Sequence, residues 1–231
     1  MFNFIFNSAA WQLIVQADWM TKLILLSLFS LSVVCIAIIV FKFLTLRNEK
    51  RKMSKLIDNI KISSSFSDLI QIGKKFEDSL GGKFLIQNLN ELKFILERKE
   101  NNNHKLKIQD IEYLEILSDQ SIDRLLMQAE VYLPVLGTSA SVAPFVGLFG
   151  TIWGLIHSFV IISQEKSANI SASVIAPGIA EALTTTLAGL IVAIPAMIAF
   201  HCFSNELRKI EQQMGHLSDR FLRIIKQSFI K

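Results

Sequence analysis

Residues 174–203 read VIAPGIAEALTTTLAGLIVAIPAMIAFHCF. Their only charged residue is Glu181. A helix needs roughly 20 apolar residues to cross the hydrocarbon core of a bilayer, so this stretch is long enough to span. A charged side chain at mid-membrane costs about 3 kcal/mol on insertion scales, and such residues face a bundle interior or water. Hydrocarbon also disfavours the ionised form of a carboxyl. Two readings of Glu181 stay open on these grounds. It is a proton-relay group, or it is a protonated side chain hydrogen-bonded to a neighbouring helix as a packing lock.

Two further apolar runs stand upstream. Nineteen uncharged residues separate Lys22 from Lys42, and 34 separate Glu130 from Glu165. A soluble fold would struggle to bury three such runs. The expected class is therefore an all-α membrane protein with three transmembrane helices. The 34-residue run would be about 51 Å long as a helix, against a core of about 30 Å. The helices of spans two and three should therefore extend into the cytoplasm, span two continuing the helix expected before it.

Charge distribution sets the topology. Arg47, Lys50, Arg51, Lys52 and Lys55 follow the first span, and the tail from Glu206 holds six Lys/Arg against three acids. Basic residues mark the cytoplasmic side. Residues 1–21 contain no Lys or Arg, which argues against a cleaved signal peptide and places the N-terminus outside. The net charge of +4 thus follows from topology and calls for no nucleic-acid partner.

The expected order is an external interfacial segment over 1–21, with Trp11 and Trp19 at the membrane border, and span one over 22–46. A cytoplasmic helical region over 47–130 follows, then span two over 131–162 and a periplasmic loop over 163–173. Span three covers 174–203, and a cytoplasmic C-terminal helix covers 204–231. Residues 47–130 carry 15 Lys/Arg and 14 Asp/Glu, with breaks expected at Ser63–Ser65, Gly81-Gly82 and Asn101–Asn103. Ile111, Leu114, Ile122, Leu125, Ala129 and Tyr132 recur at helical spacing, as do Leu207, Ile210, Met214, Leu217, Phe221 and Ile224.

Span two places Ala140, Ala143, Gly147, Gly150, Thr151, Gly154 and Ser158 every three or four residues along one face. Small residues let membrane helices approach closely, so Gly147, Gly150 and Gly154 are read as helix-packing positions. Pro144, Pro177 and Pro195 fall within the spans and are expected to kink them. In span three Thr185 lies one turn from Glu181, whereas Thr186 is rotated away by about 140°. A buried threonine hydroxyl also has a bland use, bonding back to its own helix.

His157 lies in span two, but no pair of His, Cys and acids has metal-ligand spacing. Cys35 and Cys202 are read as small hydrophobes. No nucleophile elbow, Walker loop or zinc-protease motif occurs. The reading is of a protein that is not an enzyme and uses neither metal nor cofactor.

The stretch Ser141–His157, SVAPFVGLFGTIWGLIH, resembles the TolQ/ExbB family, and so does Ile175–Pro195. The likeness is strong over 130–205 and weaker elsewhere. His157 and the start of span one at Lys22 look more like the TolQ branch. The resemblance implies a proton-channel subunit in the cytoplasmic membrane of a Gram-negative bacterium, with five copies around a pair of TolR-like helices. Proton flow would drive a TolA-like partner, supporting outer-membrane integrity and cell division in a Tol-Pal type system. An ExbB-like subunit energising TonB-dependent import is the alternative within the family, and a non-conducting scaffold is the alternative outside it. By position, Glu181, Thr151 and Thr186 match the family's pathway residues. Thr184 and Thr185 stand where the family has apolar or small residues, so with His157 they are candidates for additional polar lining.

Overall fold

The computed structural model describes residues 18–62, 66–98, 106–164 and 172–229. The interfacial segment expected up to residue 17, the Asn101–Asn103 turn and most of the loop over 163–173 lie outside the described residues. All regular structure among the described residues is α-helical: α1 (Trp19–Ile62), α2 (Phe66–Lys75), α3 (Leu80–Glu97), α4 (Ile108–Glu130), α5 (Leu133–Gln164) and α6 (Ala172–Phe229). Helices α1, α5 and α6 are each long and apolar enough to cross a membrane. The chain is an all-α membrane protein.

The chain divides into two compact units. The first comprises Met1–Val40 and Tyr132–His201, and the second Phe41–Val131 and Cys202–Lys231.

In the first unit, Ile24 and Leu28 of α1 meet Ala143 of α5 and Val192 and Ala193 of α6. Little else is covered. Only 17, 22 and 33 % of the most apolar windows of α1, α5 and α6 are buried within the chain. Phe29, Phe145, Phe159 and Leu183 all lie largely uncovered. An outward surface this apolar needs lipid or further protein against it. Several polar side chains in these helices are satisfied locally. Ser30, Thr138, Ser141, Ser158 and Thr184 each donate to the carbonyl four residues earlier, so these five hydroxyls need no partner from outside their own helices. Pro144, Pro177 and Pro195 sit inside α5 and α6 without ending either helix.

The second unit has an aqueous-type core. Met53, Leu56 and Ile60 of α1 contribute to it, as do Phe84, Leu85 and Leu92 of α3, Leu114 and Leu125 of α4, and Met214, Phe221 and Ile225 of α6. The rings of Phe84 and Phe221 meet edge to face, 6.3 Å between centroids. One polar pair lies within this core: Ser118 donates to Asn88 Oδ1 at 2.8 Å, and Asn88 Nδ2 donates to the Phe84 carbonyl. Lys42, buried on α1, donates to the Ala129 carbonyl at 2.6 Å and so caps the last turn of α4.

Two local expectations change. The helix before span two does not run on into it. Glu130 ends α4, and Tyr132 takes a left-handed backbone with φ 77° before α5 begins. Tyr132 accordingly leaves the buried stripe and is half exposed. Gly81-Gly82 does not break a helix either. Ser79 caps α3, its hydroxyl accepting from Gly82 N–H and donating to the Phe76 carbonyl. A Cβ on Gly82 would run into that same carbonyl, so the glycine is required by close approach. The expected extension of the span-three helix is found: α6 is one helix of 58 residues that runs on through the C-terminal segment.

Candidate functional site

The site is built where α5 and α6 pack through small residues. A side chain added at Gly189 would meet the Ala143 carbonyl at 2.6 Å, and one at Gly147 would meet the Thr185 carbonyl at 2.9 Å. One at Gly154 would meet Ala182 at 3.0 Å. Gly150 lies against the Thr185 side chain, and Gly178 against Ser158. Position rises along α5 as it falls along α6, so the two helices run antiparallel in close backbone contact. The three glycines read from sequence as packing positions all lie on this seam.

Two threonines cross it. Thr186 donates to the Gly147 carbonyl at 3.1 Å. Thr185 is fully buried and divides its hydroxyl between the Ala182 carbonyl of its own helix, at 2.7 Å, and the Gly147 carbonyl, at 3.3 Å. Thr184 and Thr151 turn back onto their own helices, to Ala180 and Leu148. The structure thus brings Thr185 and Thr186 together on one acceptor and leaves Thr151 without a cross-helix bond. Thr185, read from sequence only as additional lining, is the most buried of the four.

Glu181 lies one turn before Thr185 on the same side of α6 and is half buried. Its Oε1 accepts a 3.0 Å hydrogen bond from the backbone N–H of Asp18. Asp18 is the residue immediately before α1. Its carboxylate in turn accepts from the indole N–H of Trp153 on α5, at 3.1 Å. That bond is the main cause holding the Asp18 carboxyl below the usual carboxylate range; partial burial opposes it, and the N–H groups of Trp19 and Met20 and the charge of His157 assist. One residue from each of the three spanning helices, or their flanks, therefore meets at Glu181. His157 lies on α5 one turn beyond Trp153, with its side chain exposed.

Sequence reasoning missed Asp18 and Trp153. An acid just ahead of an apolar helix is a recognisable N-terminal signal, and Asp18 was there to be read as one. Nothing in the spacing could have told which helix the Trp153 indole would reach.

Comparison with known proteins follows the same residues. Residues 82–216 match the model of the MotA/TolQ/ExbB proton channel family. The chain is 32% identical over 225 residues to the Tol-Pal system protein TolQ of Haemophilus influenzae, covering 95% of each. It is 30% identical over 215 residues to the biopolymer transport protein ExbB of Salmonella typhimurium, covering 93% of this chain and 85% of that one. It is 29% identical over 218 residues to the ExbB of Pseudomonas putida, of whose length it spans 63%.

Proposed function

This chain belongs to the MotA/TolQ/ExbB proton channel family, whose members are motor subunits rather than enzymes, and from that membership we propose that it conducts protons in a Tol-Pal type inner-membrane motor. The observation that carries the reading is Glu181. It is the only charged residue in the apolar part of α6, and it is held by an amide of a different helix. An ionisable group in such a place is a functional site by default.

On this reading the apolar faces left open in one chain are covered by lipid and by further copies, in a pentamer around two TolR-like helices. Thr186 and Thr151 hold or line the path beside Glu181, and proton flow energises a TolA-like partner. The N-terminus is periplasmic and the C-terminus cytoplasmic, from the placement of basic residues. Support for the Tol-Pal branch comes from His157 and the Lys22 start of span one, and from a 40% identity over 105 residues to the TolQ of Pseudomonas aeruginosa. The ExbB relatives, at nearly the same identity over most of the chain, favour a second reading in which the partner is TonB-like. Neighbouring genes separate the two.

The test is Glu181→Gln, which keeps the hydrogen-bonding atoms and cannot titrate. Expected is a chain that assembles normally and fails to support detergent resistance and septation. A fully active Glu181→Gln would leave Glu181 a packing lock and sink the relay.

A further inference from the structure

The first turn of α1 shows how Glu181 is held. In a capping box, a glutamate at the third helical position reaches back to the N–H of the capping residue. Asp18 stands at the cap of α1, its backbone carbonyl accepting the first helical bond from the Lys22 N–H at 3.0 Å. The third helical position is Thr21, which is too short for that reach. Its hydroxyl is buried and has no hydrogen-bond partner among the described residues. The carboxylate that accepts from the Asp18 N–H is Glu181, 163 residues away. A tertiary contact thus fills the place of a local one.

Whether that N–H points at Glu181 depends on where the start of α1 is pinned. Trp153 pins it, through the indole bond to Asp18 Oδ2. Asp18 therefore does two things at once. Its carbonyl opens the hydrogen-bond ladder of α1, and its side chain ties that end to α5, which aims its backbone amide at α6. Thr21, Ile24 and Leu28 continue the same inward stripe of α1, so the tie sits at the end of a packed face.

We propose that Asp18 is a positioning residue for Glu181, and that the Trp153–Asp18 bond sets the orientation in which Glu181 handles protons. The inference rests on the reading of Glu181 as the proton-handling group. Misplacing a reacting group by about 1 Å costs roughly 100-fold in favourable cases, and a loosened tie should cost roughly tenfold.

The experiment uses the full chain in membranes with its natural partners. Asp18→Ala, Asp18→Asn, Trp153→Phe and the Asp18→Ala/Trp153→Phe pair are compared for assembly, proton-driven output and the rate at which a hydrophobic carbodiimide labels Glu181, with Glu181→Gln as the labelling blank. Asp18→Ala and Trp153→Phe should assemble, lose roughly tenfold of output and label Glu181 faster, because the oxygen is no longer covered. The pair should be no worse than either alone. Asp18→Asn keeps an acceptor for the indole and should behave as wild type. Wild-type output and labelling in Asp18→Ala and Trp153→Phe would overturn the proposal. So would lost output with unchanged labelling, or an Asn variant as impaired as the Ala one. If Asp18→Ala does not assemble, Trp153→Phe decides by the same two readouts. A fully active Glu181→Gln removes the proton reading instead, and the labelling rates then still report whether Asp18 holds Glu181.

Discussion

Thr186 and Gly147 are joined by a 3.1 Å hydrogen bond from the threonine hydroxyl to the glycine carbonyl, across the seam between α5 and α6. A helical carbonyl already accepts one bond within its own helix, so the threonine uses its second lone pair.

Thr186→Val keeps the shape and removes the donor. The expected loss is about 0.5–1.5 kcal/mol, read as a lower midpoint in thermal unfolding of the detergent-solubilised protein. Thr186→Ser should retain most of the stability. An unchanged midpoint in the valine variant would show that the bond contributes nothing.

The seam gives a second prediction. Gly189→Ala drives a Cβ toward the Ala143 carbonyl at 2.6 Å, and backbone there cannot yield without separating the helices. Overpacking of this kind costs about 1–3 kcal/mol. Gly215 on the same helix has nothing within 4 Å of an added Cβ. Gly215→Ala should therefore stabilise by about 0.5–1 kcal/mol through helix propensity alone. Equal effects of the two substitutions would contradict the close approach.

Tyr132 supplies the third. A left-handed backbone is tolerated by Asn and penalised in β-branched residues. Tyr132→Val should cost about 1–2 kcal/mol more than Tyr132→Asn, measured by denaturant unfolding. Val tolerated as well as Asn would mean that the turn does not hold this conformation.

Asp119 gives a pH dependence. Desolvation, then the charges of Glu115 and Asp123 on α4 and Asp219 on α6, hold its carboxyl above the usual range although the residue is exposed. A folded-state value above the unfolded one means that the native protein binds the proton more readily. Stability should therefore fall as pH rises through that window, and the penalty is complete above it. Asp119→Asn should be more stable than wild type at about pH 7, with the difference gone below about pH 4. A gain that persists unchanged in acid would assign it to something other than charge.

Much of this architecture could be read before any coordinates. Long uncharged runs located α1, α5 and α6, because the bilayer tolerates few alternatives. The glycine face of α5 announced its packing role for the same reason. Ile111, Leu114, Met214 and Phe221, read as helical stripes on α4 and the end of α6, are buried. Periodicity carries no stop signal, though. The one stop signal here is Pro134, which has no N–H for the Glu130 carbonyl four residues earlier; there is no Gly beside it, and a proline is equally at home in the first turn of the next helix. At the site, Glu181 stood out because charge is rare in a span. Its partner contributes a backbone N–H, which every residue but proline owns, so no residue type advertised it.

The antiparallel seam of α5 and α6 has a mechanical meaning. A slip of one residue, about 1.5 Å, would push a Cβ into the backbone now facing Gly147 or Gly189. Relative rotation would strip Thr185 and Thr186 of their shared acceptor. These two segments of the first unit are consequently geared teeth locked in one mesh, and they transmit a push as a single strut.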